Sequence, residues 1–78
     1  MKIGNITLII GETYFTKFEN IIEKLKLDKI HHETISENEV KVSVRSFPKK
    51  PNEKNFDSWL LWSSEIYHTR EEAKNEKN

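Results

Sequence analysis

The stretch ETYFTKFENIIEKLKL, residues 12–27, decides the fold class. Thr16 followed by Glu19 has the spacing of a capping box, in which hydroxyl and carboxylate each accept a free backbone N–H at a helix start. Phe18, Ile21, Ile22 and Leu25 then fall at helical spacing, while Lys17, Glu19, Glu23, Lys24 and Lys26 face the other way. This pattern predicts a helix from residue 16 to 27 that lays its apolar stripe on a sheet. Gly11 and Glu12 can also turn a two-residue hairpin, with Thr13, Tyr14 and Phe15 as a short strand ahead of that helix.

The sheet itself is read from the flanks. KIGNITLII, residues 2–10, is rich in Ile and Thr and ends at Gly11, which suits a strand stopped by a turn. Ile6, Leu8 and Ile10 share one face, and Ile3, Thr7 and Ile9 lie broadly on the other. A strand covered on both sides, and therefore central, is expected. From residue 30 to 47 the period is two: Val40, Val42 and Val44 point one way, Lys41, Ser43, Arg45 and Phe47 the other. Ile30 to Ile35 is the expected hairpin partner, turning through Ser36, Glu37 and Asn38. Pro48 and Pro51 then mark residues 48–56 as a surface loop.

Both tryptophans lie in NFDSWLLWSSEIYHTREEAKN, residues 55–75. In a helix capped by Asp57, Trp59, Trp62, Ser63 and Ile66 would form one stripe. In a strand, Trp59 and Trp62 would stand on opposite faces, since three is an odd spacing. Thr69 and Glu72 repeat the capping-box spacing and mark a new helix start. A strand over 58–67, favoured by Trp, Ile and Tyr, followed by a helix over 70–76 is therefore expected, with one Trp in the core and the other outside. The tail, residues 74–78, should fray. The expected fold is a single α+β domain over residues 1–78. It is a small, mainly antiparallel sheet in the order β-α-β-β-β-α, with one helix packed on one face and a short C-terminal helix.

Composition bounds the function. A chain of 78 residues, 35% apolar and 33% charged, builds a small core, so a partner or a second copy can complete it and a homodimer is an open possibility. The absence of cysteine excludes disulfide scaffolds, Cys-ligated zinc and thiol nucleophiles, and fits a reducing, cytoplasmic setting. The longest apolar run, Leu8 to Ile10, is far short of a membrane span, and no charged-then-apolar leader precedes it. Net charge is zero, so no global field attracts nucleic acid or anionic lipid. The distribution is uneven, because a basic middle lies between acidic flanks. Lys far outnumbers Arg, a usage typical of AT-rich genomes. Short, charged, cysteine-free chains are frequent among phage and mobile-element proteins, anti-defence inhibitors included, that block a host machine.

Four groups of residues invite chemistry. Lys41, Arg45 and Phe47 share a strand face, with Lys49, Lys50 and Lys54 in the adjoining loop, so cations and a ring can meet an anionic partner together. Their bland alternative is a solvated outer face. Trp59 and Trp62 can anchor an interface, Trp62 being the expected exposed ring, or fill the core. His31, His32 and His68 invite a metal, but adjacent histidines in a strand point apart, so no metal or other cofactor is expected. Ser63 and Ser64 lack the glycine pattern of a nucleophile elbow, Gly4 and Gly11 build no phosphate-cradling loop, and Glu65 with His68 would need a cleft. No catalytic residue is assigned. The expectation is a non-enzymatic inhibitor or adaptor that occludes a partner protein's acidic surface. The alternatives are a single-stranded nucleic-acid binder using the same face and an antitoxin-like or structural oligomer subunit.

Overall fold

A computed structural model describes residues 1–47 and 57–75. Two short strands, β1 (Lys2–Ile3) and β2 (Ile6–Thr7), pair in a small hairpin. Strands β3 (Thr13–Phe18), β4 (Ile21–Ser36), β5 (Glu39–Ser46) and β6 (Ser58–Trp62) form an antiparallel meander in that order. A 3₁₀ turn at Ser63–Glu65 and one helix, α1 (Arg70–Lys74), follow. Among the described residues the protein is thus a small, mainly antiparallel sheet with one short helix.

Residues 12–27 form a hairpin and not the expected helix. Glu19 and Asn20, between β3 and β4, both have positive φ, 48° and 69°. That backbone is the one a two-residue hairpin requires. Phe18 pairs with Ile21 and Thr16 with Glu23 across the strands, so the supposed capping pair is split, Thr16 in the ladder and Glu19 in the turn. Of the apolar residues that looked helical, Leu25 is buried, opposite the buried Tyr14, while Ile22 opposes Lys17 on the other side of the strand and Phe18 and Ile21 are exposed at the hairpin end. Lys24, Leu25, Lys26 and Leu27 alternate, and this period of two prevails over the helical stripe. The order β-α-β-β-β-α does not hold.

The first strand is broken as well. Gly4, at φ 58°, turns the chain, and a Cβ there would come within 2.9 Å of the Asn38 carbonyl oxygen in the β4–β5 turn. Ile6 and Leu8 point into the core, but Ile9 and Ile10 are exposed, so no central strand runs through residues 2–10. Tyr14 fixes this segment: its buried ring carries a hydroxyl that donates to Thr7 O at 2.7 Å and accepts from Ile9 N at 2.9 Å. Gly11, at φ 92°, donates its N–H to Leu27 O while Leu27 N donates to Glu12 O. Two residues therefore oppose one, a glycine bulge that bends β3 into the sheet.

The β4–β5 hairpin forms as the alternation predicts, turning between Ser36 and Glu39. Val40, Val42 and Val44 are wholly buried, with Leu25 and Leu27 beside them. Each such side chain contributes roughly 1.5–3 kcal/mol of burial. β4 carries a bulge between Leu27 and Lys29 and a wider irregularity between His31 and Ile35.

The sheet curls until the chain beyond β6 reaches its far edge. Tyr67 pairs with Phe15 on the free edge of β3, through N–H···O bonds of 2.9 and 2.7 Å. Laid flat, the step from β6 back past β3 covers about 19 Å at ~4.8 Å per strand. Residues 62–67, three of them in 3₁₀ geometry, reach only about 13 Å. Curvature closes the difference. The expected strand 58–67 therefore ends at Trp62, where the chain must turn the corner. Ser63 makes that corner: it is buried, and its Oγ accepts Val40 N–H at 3.0 Å. The expected helix start is correct, since Thr69 Oγ1 accepts Glu72 N–H at 3.1 Å, and α1 buries Ala73.

Candidate interaction face

The curl gives the sheet an apolar inside and a basic outside. Strand alternation places Thr13, Lys26, Arg45 and Ser58 in one row across the outer face. Lys29, Ser43 and Leu60 form the next row, and His31, Lys41 and Trp62 the third. Lys24, opposite Phe15, extends the same face. In none of these rows does a carboxylate occupy an outward position. Asp28, inside the bulge of β4, reaches Arg45 Nε at 4.0 Å, the loosest distance at which a pair forms.

Aromatic rings hold two of the cations. The Lys41 ammonium lies 4.5 Å from the centroid of the Trp62 ring, and that of Lys24 lies 4.9 Å from the Phe47 ring. Such contacts are worth about 0.5–1 kcal/mol at exposed sites and fix the direction of a flexible lysine. Lys41, Arg45, Phe47 and Trp62 are thus gathered on one face. Lys49, Lys50 and Lys54 lie outside the described residues, as does the loop over 48–56 that was expected to carry them.

Lys24, Lys26 and Lys29 are the cations that sequence reading missed. Assigned to a helix, the first two were separated from Lys41 and Arg45. The signal was the Lys-Leu-Lys-Leu alternation itself, which puts every second residue outward once a strand is assumed.

Trp59 does not fill the core. It stands on the inner side, pairs with Val44 and is 41% exposed. With Phe18, Leu25, Leu61, Glu23 and Glu65 it borders a cavity of about 280 Å³. Trp62 is half-buried on the outer face. The two rings take opposite faces as expected, but neither is enclosed.

The polar candidates are occupied structurally. Ser63 Oγ serves Val40, Ser64 Oγ donates to the Glu39 carboxylate, and Glu65 Oε1 accepts Trp62 N–H at 2.9 Å. His68 Nε2 accepts Thr7 N–H at 3.2 Å, its ring tilted against Tyr14. His31 Nε2 meets Ser43 Oγ at 2.6 Å and its Nδ1 lies 3.5 Å from Glu33. A backbone hydrogen bond, with a smaller contribution from His31, lowers the Glu33 carboxyl below the ordinary range. Among the described residues no three His, Asp or Glu side chains are grouped to hold a metal, and no helix is long and apolar enough to cross a membrane. No protein-family model matches the chain, and no curated protein or solved structure shows significant similarity to it.

Proposed function

We propose that this chain is a non-enzymatic binding protein that lays its outer sheet face on an acidic surface of a partner protein and acts by occluding it. One observation carries the reading: Lys24, Lys26, Lys29, Lys41 and Arg45 share a face on which, among the paired outward positions, the single carboxylate is Glu39, at the end of β5 and hydrogen-bonded by Ser64. In a chain of zero net charge this is charge separation, not general basicity. Complementary faces of this kind speed encounter and set orientation. The cysteine-free composition supports a reducing, cytoplasmic setting.

A single-stranded nucleic acid is the second reading, favoured by Trp62 among the cations. The lysines weigh against it. Lys41 and Lys24 already cover a face of Trp62 and Phe47, so a base would have to displace an ammonium before stacking. A carboxylate needs only the ammonium.

Affinity capture from host lysate, split into nuclease-treated and untreated halves, tests both readings. The wild-type chain is expected to retain one protein in both halves, and K26E/K29E to lose it while keeping its circular dichroism. Retention by the charge-reversed chain would remove this face from the account. Loss of all captured protein after nuclease would put the second reading first.

A further inference from the structure

Among the described residues the edge of β6 is unpaired, and we infer that it pairs with β6 of a second copy, antiparallel and about a two-fold axis at Leu60. Among the described residues β6 ends the sheet, with β5 on one side only. Its sequence, SWLLW, holds no charge and no proline. Those are the devices that usually block edge-to-edge pairing. Leu60 is 59% exposed and Trp59 41%, so the strand presents apolar side chains along with its free backbone.

The hydrogen-bond parity is fixed by Trp62. Its N–H donates to Glu65 Oε1 and so points away from β5. Ser58 and Leu60 share that parity, which leaves their N–H and C=O groups directed outward. About a dyad at Leu60, each Leu60 donates to and accepts from its twin, and Ser58 N–H reaches Trp62 O of the other copy. In that pair Ser58 O takes the Trp62 N–H from Glu65 Oε1, which swings aside on pairing.

Side chains match in the same register. On the outer face Leu60 meets Leu60 and Ser58 meets Trp62; on the inner face Trp59 meets Leu61. No charge opposes a like charge, and a net charge of zero sets no long-range repulsion between copies. A foreign strand would satisfy the backbone equally, but only the chain's own β6 is matched on both faces about one axis. The inference does not depend on the basic face: pairing at β6 would set two such faces side by side in one continuous sheet.

Light scattering on eluting protein, across a wide range of concentration, tests this with L60P and L60K. Proline at residue 60 removes only an outward N–H and leaves the β5–β6 ladder intact. Lysine there sets two ammonium groups opposite each other at the axis. Wild type is expected at the dimer mass, and both variants at half that mass with unchanged circular dichroism; I35K, at an exposed position outside β6, should remain dimeric. The Leu60 amide should gain exchange protection as concentration rises, whereas that of Leu61, inside the ladder, should be protected throughout. A wild type that stays monomeric, or a dimer that survives both substitutions at Leu60, would overturn the proposal.

Discussion

The two faces of the sheet are built from the same strands, one residue out of step, and they have opposite purposes. Inside, Leu25, Leu27, Val40, Val42 and Val44 are almost wholly shielded from water. Outside, Lys24, Lys26, Lys29, Lys41 and Arg45 alternate with them. The difference teaches where free energy resides: inner residues hold the fold, while outer residues carry a charge pattern the fold does not need. A one-residue slip would exchange the two sets, which is why the register is specified so firmly.

The comparison is sharpest at Leu25 and Lys26. Leu25→Ala should cost about 2–5 kcal/mol through lost burial and an unfilled cavity. Lys26→Ala should stay within about 0.5 kcal/mol. Urea unfolding followed by tryptophan fluorescence measures both. Comparable losses would mean that the outer face is structural after all.

Polar groups facing inward should behave like the inner face. Ser63→Ala leaves the buried Val40 N–H without its acceptor and should cost about 1–3 kcal/mol. Tyr14→Phe keeps the ring but strips Ile9 N and Thr7 O of their partner, with a loss of similar order. Exchange protection should fall first at Val40 in one variant and at Ile9 in the other. Unaltered unfolding midpoints would show that water replaces these hydroxyls without loss.

The short helix offers a milder test. Thr69→Ala removes its cap and should cost about 0.5–2 kcal/mol, because one N-terminal N–H loses its acceptor. If Ala73 packing alone held α1, the melting temperature would not move.

How much of this was legible follows from the range of each signal. Val40, Val42 and Val44, the Ser36–Asn38 turn and the Thr69 cap are local patterns that sequence displays directly. Phe18, Ile21, Ile22 and Leu25 satisfy a helical stripe and, once the chain reverses at Glu19–Asn20, a hairpin too. Only the left-handed backbone of that pair decides between them, and glutamate is an unusual residue to adopt it. The misreading then hid the candidate face, since Lys24 and Lys26 join Lys41 and Arg45 only through long-range register. The closure at Tyr67 is less legible still: it depends on the curl of the whole sheet.

The smallest expected effect lies where the two-faced order lapses. Between His31 and Ile35, β4 carries residues that have no partner on β5, and Glu33 stands there largely exposed to water. Its carboxyl is lowered chiefly by a backbone hydrogen bond and secondarily by His31. A carboxyl lowered in the folded state favours folding above its unfolded value, and that contribution is lost as pH falls through the folded one. Exposure keeps the effect on stability slight, so the group is better read by its own titration, followed by carbon chemical shift. Glu33 should titrate below an ordinary glutamate, and His31→Gln should restore only the smaller part of the displacement. Full restoration would make the His31 pair the main cause and tie Glu33 to the basic face; an ordinary midpoint in the wild type would leave it a solvated residue with no fixed backbone partner.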